Sequence, residues 1–238
     1  MATPTKQLTL AKKLDRTSMT LTLRDVQAHP RVKTLMSKTN EFLGVIGYTE
    51  HGQRHGKVVA DNTRLILEAL GEDERTQELG AIAGYLHDVG NVINRDHHAQ
   101  SGAFLANKVL DEMDLPFEDT VEIIGAIGNH HEGDGRPVSK IAAALILADK
   151  ADTNRTRVRN TRQLMSDIHD RVNYAVTDTD LAVNMGERSI TLKLMVDTRI
   201  ASVMEFFEIF LDRMMMSKRA ANFLELEFHL DINGSRLL

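Results

Sequence analysis

No cysteine occurs in the 238 residues of this chain. That excludes disulfides, thiolate metal sites and a cysteine nucleophile. An excess of positive charge is lacking too: 29 Lys and Arg stand against 34 Asp and Glu, for a formal net charge of -5. Such a balance argues against a general nucleic-acid binder while leaving room for a local basic pocket. The first twenty residues have no continuous apolar run, because Lys6, Lys12, Lys13, Asp15 and Arg16 interrupt them. Neither a signal peptide nor a membrane span is expected there, and the cytoplasm is the expected location. Internal repeats and low-complexity segments are also missing. What remains is 42% hydrophobic and 26% charged, an ordinary globular composition. The length suffices for one domain, with or without a small second one.

Histidine stands out among the residues present. Seven of the ten lie between positions 51 and 131: His51, His55, His87, His97, His98, His130 and His131. The chain around them reads as a series of helices. Val32, Leu35, Met36, Leu43 and Ile46 recur at helical spacing after Pro30, which suits a first turn, and Gly47 ends the pattern. A second helix is expected over 51–70, stopped by Gly71, with His51 and His55 on one face. Further helices follow over 74–88, 99–113 and 119–131, and His97 and His98 sit in the turn before the fourth. Ser139 caps a sixth, whose run Ile141-Ala-Ala-Ala-Leu-Ile-Leu-Ala148 is apolar on every side and therefore central. It ends in Asp149, a carboxylate that is costly to bury unless paired or metal-bound.

After about residue 170 the periodicity changes. Ile190, Leu192, Leu194 and Val196 alternate with polar or flexible residues, and so do Leu224, Leu226, Phe228, Leu230 and Ile232. An amphipathic helix is expected between them over 203–221, and a weaker strand over 172–176 or 181–183. The expected fold is mainly α: a helical bundle followed by a small C-terminal α+β unit. The expected division is an N-terminal extension over 1–29, a metal-binding helical domain over 30–170 and the α+β domain over 171–238.

His87 and Asp88 are adjacent, so their side chains project roughly 100° apart in a helix and can address one metal only near its end. His55, His87, His98, His130 and His131 with Asp88 and Asp149, each at a helix end or turn, make a nitrogen-and-oxygen ligand set without a soft donor. It suits two divalent transition metal ions of the iron, manganese, zinc or nickel type. The two oxygens of Asp88 can bridge the ions, about 3.5–4 Å apart, and the shared water becomes a hydroxide for in-line attack on phosphorus. His55, His87 and Asp149 would hold one ion, and His98, His130 and His131 the other. Lys150 and Arg155 follow the last ligand, Arg136 follows His131, and His51 precedes His55, so these four are the candidate substrate-binding residues. Arg155, with Asp88, is also the candidate catalytic residue, because its planar fork suits phosphate oxygens. Arg155, Arg157, Arg159 and Arg162 read alternatively as a solvated face.

His55, then His87-Asp88, then Asp149, in that order on a helical core, resembles the HD-domain metal-dependent phosphohydrolases over residues 30–165. His87-Asp88-Val-Gly, His98 with Gly102, and His130-His131-Glu132 with Asp134-Gly135 look like the HD-GYP cyclic-dinucleotide phosphodiesterases, although Gly135-Arg136-Pro137 replaces the Gly-Tyr-Pro triplet. Ala148-Asp149-Lys-Ala-Asp152-Thr-Asn-Arg155 is similar to a segment of the bacterial symmetrical diadenosine tetraphosphate hydrolases, with Asp152 in place of Glu and Thr153 in place of Pro. Asn91 stands where both groups usually carry lysine.

The resemblance implies a metal-dependent phosphohydrolase or phosphodiesterase acting on a nucleotide or another small phosphate ester through a metal-activated hydroxide. The alternative is a non-catalytic, metal-binding regulatory protein of the same type that senses a ligand. A small phosphorylated substrate is the expected partner, with no membrane and no nucleic acid. Free strand edges in the C-terminal unit make a homodimer a candidate assembly.

Overall fold

The computed structural model describes residues 21–159, 161 and 167–238. Most of the N-terminal extension, residues 1–20, and Arg162 lie outside the described residues. The bundle starts earlier than the periodicity indicates. Helix α1 (Leu23–Ala28) is set by a capping box between Thr22 and Asp25, and it buries Val26 completely. Helix α2 (Pro30–Val45) begins with proline at its first position, where no amide hydrogen is needed.

Helix α3 (Gln53–Ala69) begins at a Gly52 cap, so His51 precedes it and does not share its face with His55. Gly71, at φ +76°, takes the left-handed turn that ends this segment. Helix α4 (Glu74–Leu86), capped by Asp73, packs closely on α3: a Cβ on Gly84 would stand 2.9 Å from Ala60 Cα. A 3₁₀ turn over Val89–Val92 leads on to α5 (His98–Glu112) and α6 (Phe117–Gly128). Helix α7 (Lys140–Ala151) is capped by Ser139, and every residue from Ile141 to Ala151 is buried. It is the axis of the fold. No described helix is long and apolar enough to cross a membrane.

Beyond a 3₁₀ turn over Arg155–Arg157, helix α8 (Ile168–Ala175) occupies the first of the two segments proposed for a weak strand. The second lies inside β1 (Val176–Asn184), which pairs antiparallel with β2 (Ser189–Val196). Helix α9 (Val203–Phe223) crosses over to β3 (Glu227–Ile232), which lies parallel to β2, and short β4 (Ser235–Arg236) closes the order β1-β2-β3-β4. The strand expected from Leu224 starts at Glu227, because Leu224 caps α9 and Glu225 takes a left-handed φ of 57°. Ile190, Leu192 and Leu194 pair with Phe228, Leu230 and Ile232, and all six turn one buried face inward. A single hydrophobic cluster runs from Val26 through α7 to Ile232. The sheet and α9 therefore share their core with the bundle.

Candidate metal centre

Helix α4 ends at Leu86 and His87 is its C-cap. Asp88 then adopts φ -96° and ψ 0°, leaving helical geometry. That turn brings two adjacent side chains together, with His87 Nε2 3.3 Å from Asp88 Oδ2. Asn91 holds the other carboxylate oxygen, its Nδ2 donating to Asp88 Oδ1 at 2.8 Å. Gly90 allows the start of α5 to press against the turn. A Cβ there would stand 2.0 Å from His98 O and 2.4 Å from Gly102 N. Gly90→Ala should therefore push His98 away and cost about 1–3 kcal/mol or more, as overpacking does. Thermal unfolding and metal titration of that variant check it, and a wild-type result in both would exclude the tight packing.

The imidazoles are aimed by their rear nitrogens. Nδ1 donates to Asp152 Oδ2 at 2.6 Å in His55, to Gly84 O at 2.8 Å in His87, to Arg95 O at 2.9 Å in His98 and to Ile127 O at 2.6 Å in His130. A carbonyl or an ionised carboxylate can only accept, so each ring, when neutral, carries its proton on Nδ1 and turns the Nε2 lone pair inward. His55 Nε2 and His87 Nε2 lie 3.2 Å apart, and so do His98 Nε2 and His130 Nε2. Facing lone pairs repel at that distance unless a proton or a metal cation lies between them. Asp149 Oδ1 joins the first pair, 3.3 Å from His55 Nε2. Asp88 divides its oxygens between the pairs: Oδ2 is 3.5 Å from His55 Nε2, whereas Oδ1 is 3.6 Å from His98 Nε2 and 4.0 Å from His130 Nε2. Two groups, His55 with His87 and Asp149, and His87 with Asp88 and His130, have ligand atoms close enough to hold an ion.

Electrostatics separates the two halves. Burial lowers the basicity of His87, but the Asp88 and Asp149 carboxylates outweigh it and bring its pKa to about 10. Burial brings His98 down to about 4 and His130 well below the usual histidine range, so both present neutral rings. Burial opposes ionisation of Asp88 and Asp149 as well. His87 on Asp88, and Lys150 on Asp149, reverse that and hold both well below the usual carboxylate range. The first half thus attracts positive charge and the second offers unprotonated nitrogen. With imidazole and carboxylate donors and no thiolate, the set fits a divalent transition ion.

A second layer braces these groups. Asp152 accepts from His55 and from Arg54 Nη2 at 2.7 Å. Lys150 Nζ lies 2.7 Å from Asp149 Oδ2 and 2.9 Å from Glu132 Oε1. Asp149 is thereby paired with Lys150, Asp152 with Arg54 and Arg157, and Glu132 with Lys150 and Arg213. Asp152→Ala frees the rear nitrogen of His55 and should weaken metal binding about 10- to 100-fold, as loss of such a support usually does. Metal titration by calorimetry measures it. Unchanged affinity would mean that Asp152 does not orient His55.

Of the expected site residues, His55, His87, Asp88, His98, His130 and Asp149 converge. His131 stands beside them, its ring centroid 4.8 Å from that of His98 and its Nδ1 3.0 Å from Glu132 Oε2. His51 and Lys150 line the adjoining cavity of about 540 Å³. Arg136 is exposed and Arg155 sits over the Tyr174 ring at 5.0 Å; neither lines that cavity. Helix α7 stops at Ala151, which puts Arg155 into the next turn and directs it away. Its neighbour Arg157 does line the cavity, yet its Nε and Nη2 donate to Glu50 O and its Nη1 to Asp152 O, a bracing role. Glu132, Arg95 and Arg213 were not singled out by spacing. Arg95 had a signal in its position four residues after Asn91, whereas Arg213 had none.

Residues 54–154 match the family model of the HD domain. An uncharacterized protein of Methanocaldococcus jannaschii is 28% identical over 152 residues, which cover 54% of this chain and 58% of that protein. Ribonuclease Y of Bacillus thuringiensis is 34% identical over 127 residues, covering 50% of this chain and 22% of the enzyme. Ribonuclease Y of Lawsonia intracellularis is 31% identical over 124 residues, 51% of this chain and 21% of the enzyme. The chain thus spans a little over half of the archaeal relative and about a fifth of each ribonuclease. The crystal structure of a predicted HD superfamily hydrolase from an uncultured Thermotogales bacterium aligns with a TM-score of 0.42 at 23% identity, over 56% of this chain and 75% of that one.

Proposed function

We propose, on the premise that residues 54–154 form an HD domain, that this chain is a metal-dependent phosphohydrolase acting on a nucleotide or another small phosphate ester at a two-ion centre. The observation that carries this is the division of Asp88, one oxygen toward His55 and His87 and the other toward His98 and His130. His55, His87, Asp149 and Asp88 would hold one ion, and His98, His130 and Asp88 the other, with His131 adjacent. Ions bound there supply Lewis-acid polarisation of a phosphoryl oxygen and a nucleophile at neutral pH.

The chain's own residues shape the rest. Arg95 Nη1 lies 3.2 Å from Asn91 Oδ1 and 3.3 Å from His98 Nε2, and it lines the cavity. It supplies near the centre a cation that Asn91 cannot. Lys150, fixed by Asp149 and Glu132, gives a second. Ile46, Tyr48 and Phe210 also line the cavity and offer apolar surface to the body of a small substrate. The cavity volume falls in the range of small-molecule sites, roughly 300–1,000 Å³.

The ribonuclease Y relatives favour a second reading, cleavage of a phosphodiester in RNA. Asp167, Asp170 and Asp212 line the same cavity, and the net charge is -5, which both disfavour a long polyanion. Manganese-loaded protein assayed on nucleoside mono- and diphosphates, cyclic nucleotides, dinucleotides, p-nitrophenyl phosphate and short RNA separates the two. Turnover of a small ester is the expected result. Cleavage of RNA alone would select the second reading, and no turnover by protein that holds metal would favour a ligand-sensing role.

A further inference from the structure

We propose, resting on the functional reading above, that Arg213 of α9 binds the substrate's phosphoryl group, so that a helix outside the 54–154 match completes the site. Arg213 is largely buried and lines the cavity. Its Nη2 donates to Asp149 O at 3.1 Å and lies 3.9 Å from Asp149 Oδ1. That oxygen is the one that meets His55 Nε2 at 3.3 Å. One ligand atom therefore separates the guanidinium from the centre.

The second observation is an unmet donor. Arg213 Nε is buried without a hydrogen-bond partner among the described residues. Glu132 Oε1, 3.4 Å away, neutralises the charge without meeting hydrogen-bond geometry. A buried N–H left unpaired is costly, and an incoming phosphoryl oxygen would relieve it. Arg155 Nε is unpaired among the described residues as well, but that side chain does not line the cavity, and Arg95 approaches from the His98 side. All three donor nitrogens of Arg157 serve backbone carbonyls, Lys150 bridges Asp149 and Glu132, and Arg155 faces Tyr174.

Arg213 is also held in place for the task. Its guanidinium carbon lies 5.1 Å from the Phe210 ring centroid, one turn earlier on α9, which orients the plane. Glu132 touches Arg213 and Lys150 through Oε1 and His131 through Oε2, linking both halves of the site to α9. A planar, fixed fork suits two phosphate oxygens better than the single point charge of lysine.

The test is calorimetric binding of inorganic phosphate to the manganese-loaded 238-residue chain, with metal content and circular dichroism recorded alongside. Arg213→Ala should bind phosphate about 10- to 100-fold more weakly, the usual loss for a charged hydrogen bond, with metal content unchanged. Arg213→Lys should fall between the two. Phosphate binding by a metal-loaded Arg213→Ala protein that equals wild type would overturn the proposal. If the alanine variant loses metal or structure, Arg213→Lys decides: weaker binding with metals in place supports the role, and wild-type binding overturns it. A metal-loaded wild type that neither binds phosphate nor hydrolyses an ester would overturn the functional reading, and this proposal with it.

Discussion

Asp88→Ala is expected to empty both halves of the centre and to reduce ester hydrolysis by roughly three orders of magnitude or more, since metal polarisation contributes several kcal/mol to such reactions. The double effect follows from the side chain's position. Its two oxygens face different histidine pairs, so one substitution removes a ligand from each. The fold should survive. Asp149 Oδ1, 3.6 Å from His87 Nε2, still faces that imidazole, and Asn91 keeps its second bond to Asp88 O at 2.9 Å. His130→Ala, by contrast, should lower only the second site's occupancy, because His130 Nε2 approaches His98 and Asp88 Oδ1. Elemental analysis of the purified variants, with hydrolysis measured on the best substrate, tells these apart. An Asp88→Ala protein carrying its full metal complement would remove the bridge from the scheme.

Ending the chain after residue 170 is expected to unfold it rather than release a working helical domain. Every residue of α7 from Ile141 to Ala151 is buried, and α9 forms part of the cover. Phe206, Met214, Ile190 and Leu192 are essentially inaccessible and belong to the same cluster as Leu145 and Ile146. Burying each such side chain contributes about 1.5–3 kcal/mol, so these few rival the roughly 5–15 kcal/mol that keeps a typical domain folded. Polar ties would go as well: Arg213 to Asp149 O, and Thr179 Oγ1 to Thr153 O at 2.6 Å. Urea unfolding of residues 1–170 beside the full chain, followed by circular dichroism, is the measurement. A cooperative transition in the short chain with metal still bound would show that the bundle stands alone.

The candidate ligands could be picked out in the sequence because each sits at a local punctuation mark. His87-Asp88 ends an apolar helix before Gly90, His98 follows a turn, His130 follows the last residues of α6, and Asp149 closes a helix apolar on all sides. Such boundaries come from glycine, serine and the 3.6-residue period, which act within a few residues. The same local rules explain why β2 and β3 were recognised by alternation, and why α1 was not, being six residues inside an otherwise polar stretch. The strand proposed over 172–176 falls within and just after helix α8, where Asp167 caps the first turn and the eight residues carry little pattern.

By itself, then, the sequence determined the helical core, the order of its candidate ligands, the absence of soft donors and the change to a sheet near the end. Only the tertiary structure decided which cations reach the cavity. Nearness in sequence favoured Arg155, but α7 stops at Ala151 and the next turn sends that side chain to Tyr174. Arg213, 64 residues beyond Asp149, arrives instead because α9 must bury its apolar face against α7, and that packing carries the guanidinium to Asp149 and Glu132. Hydrophobic burial is non-directional along the chain and joins segments of any separation, so no spacing rule could have announced the contact.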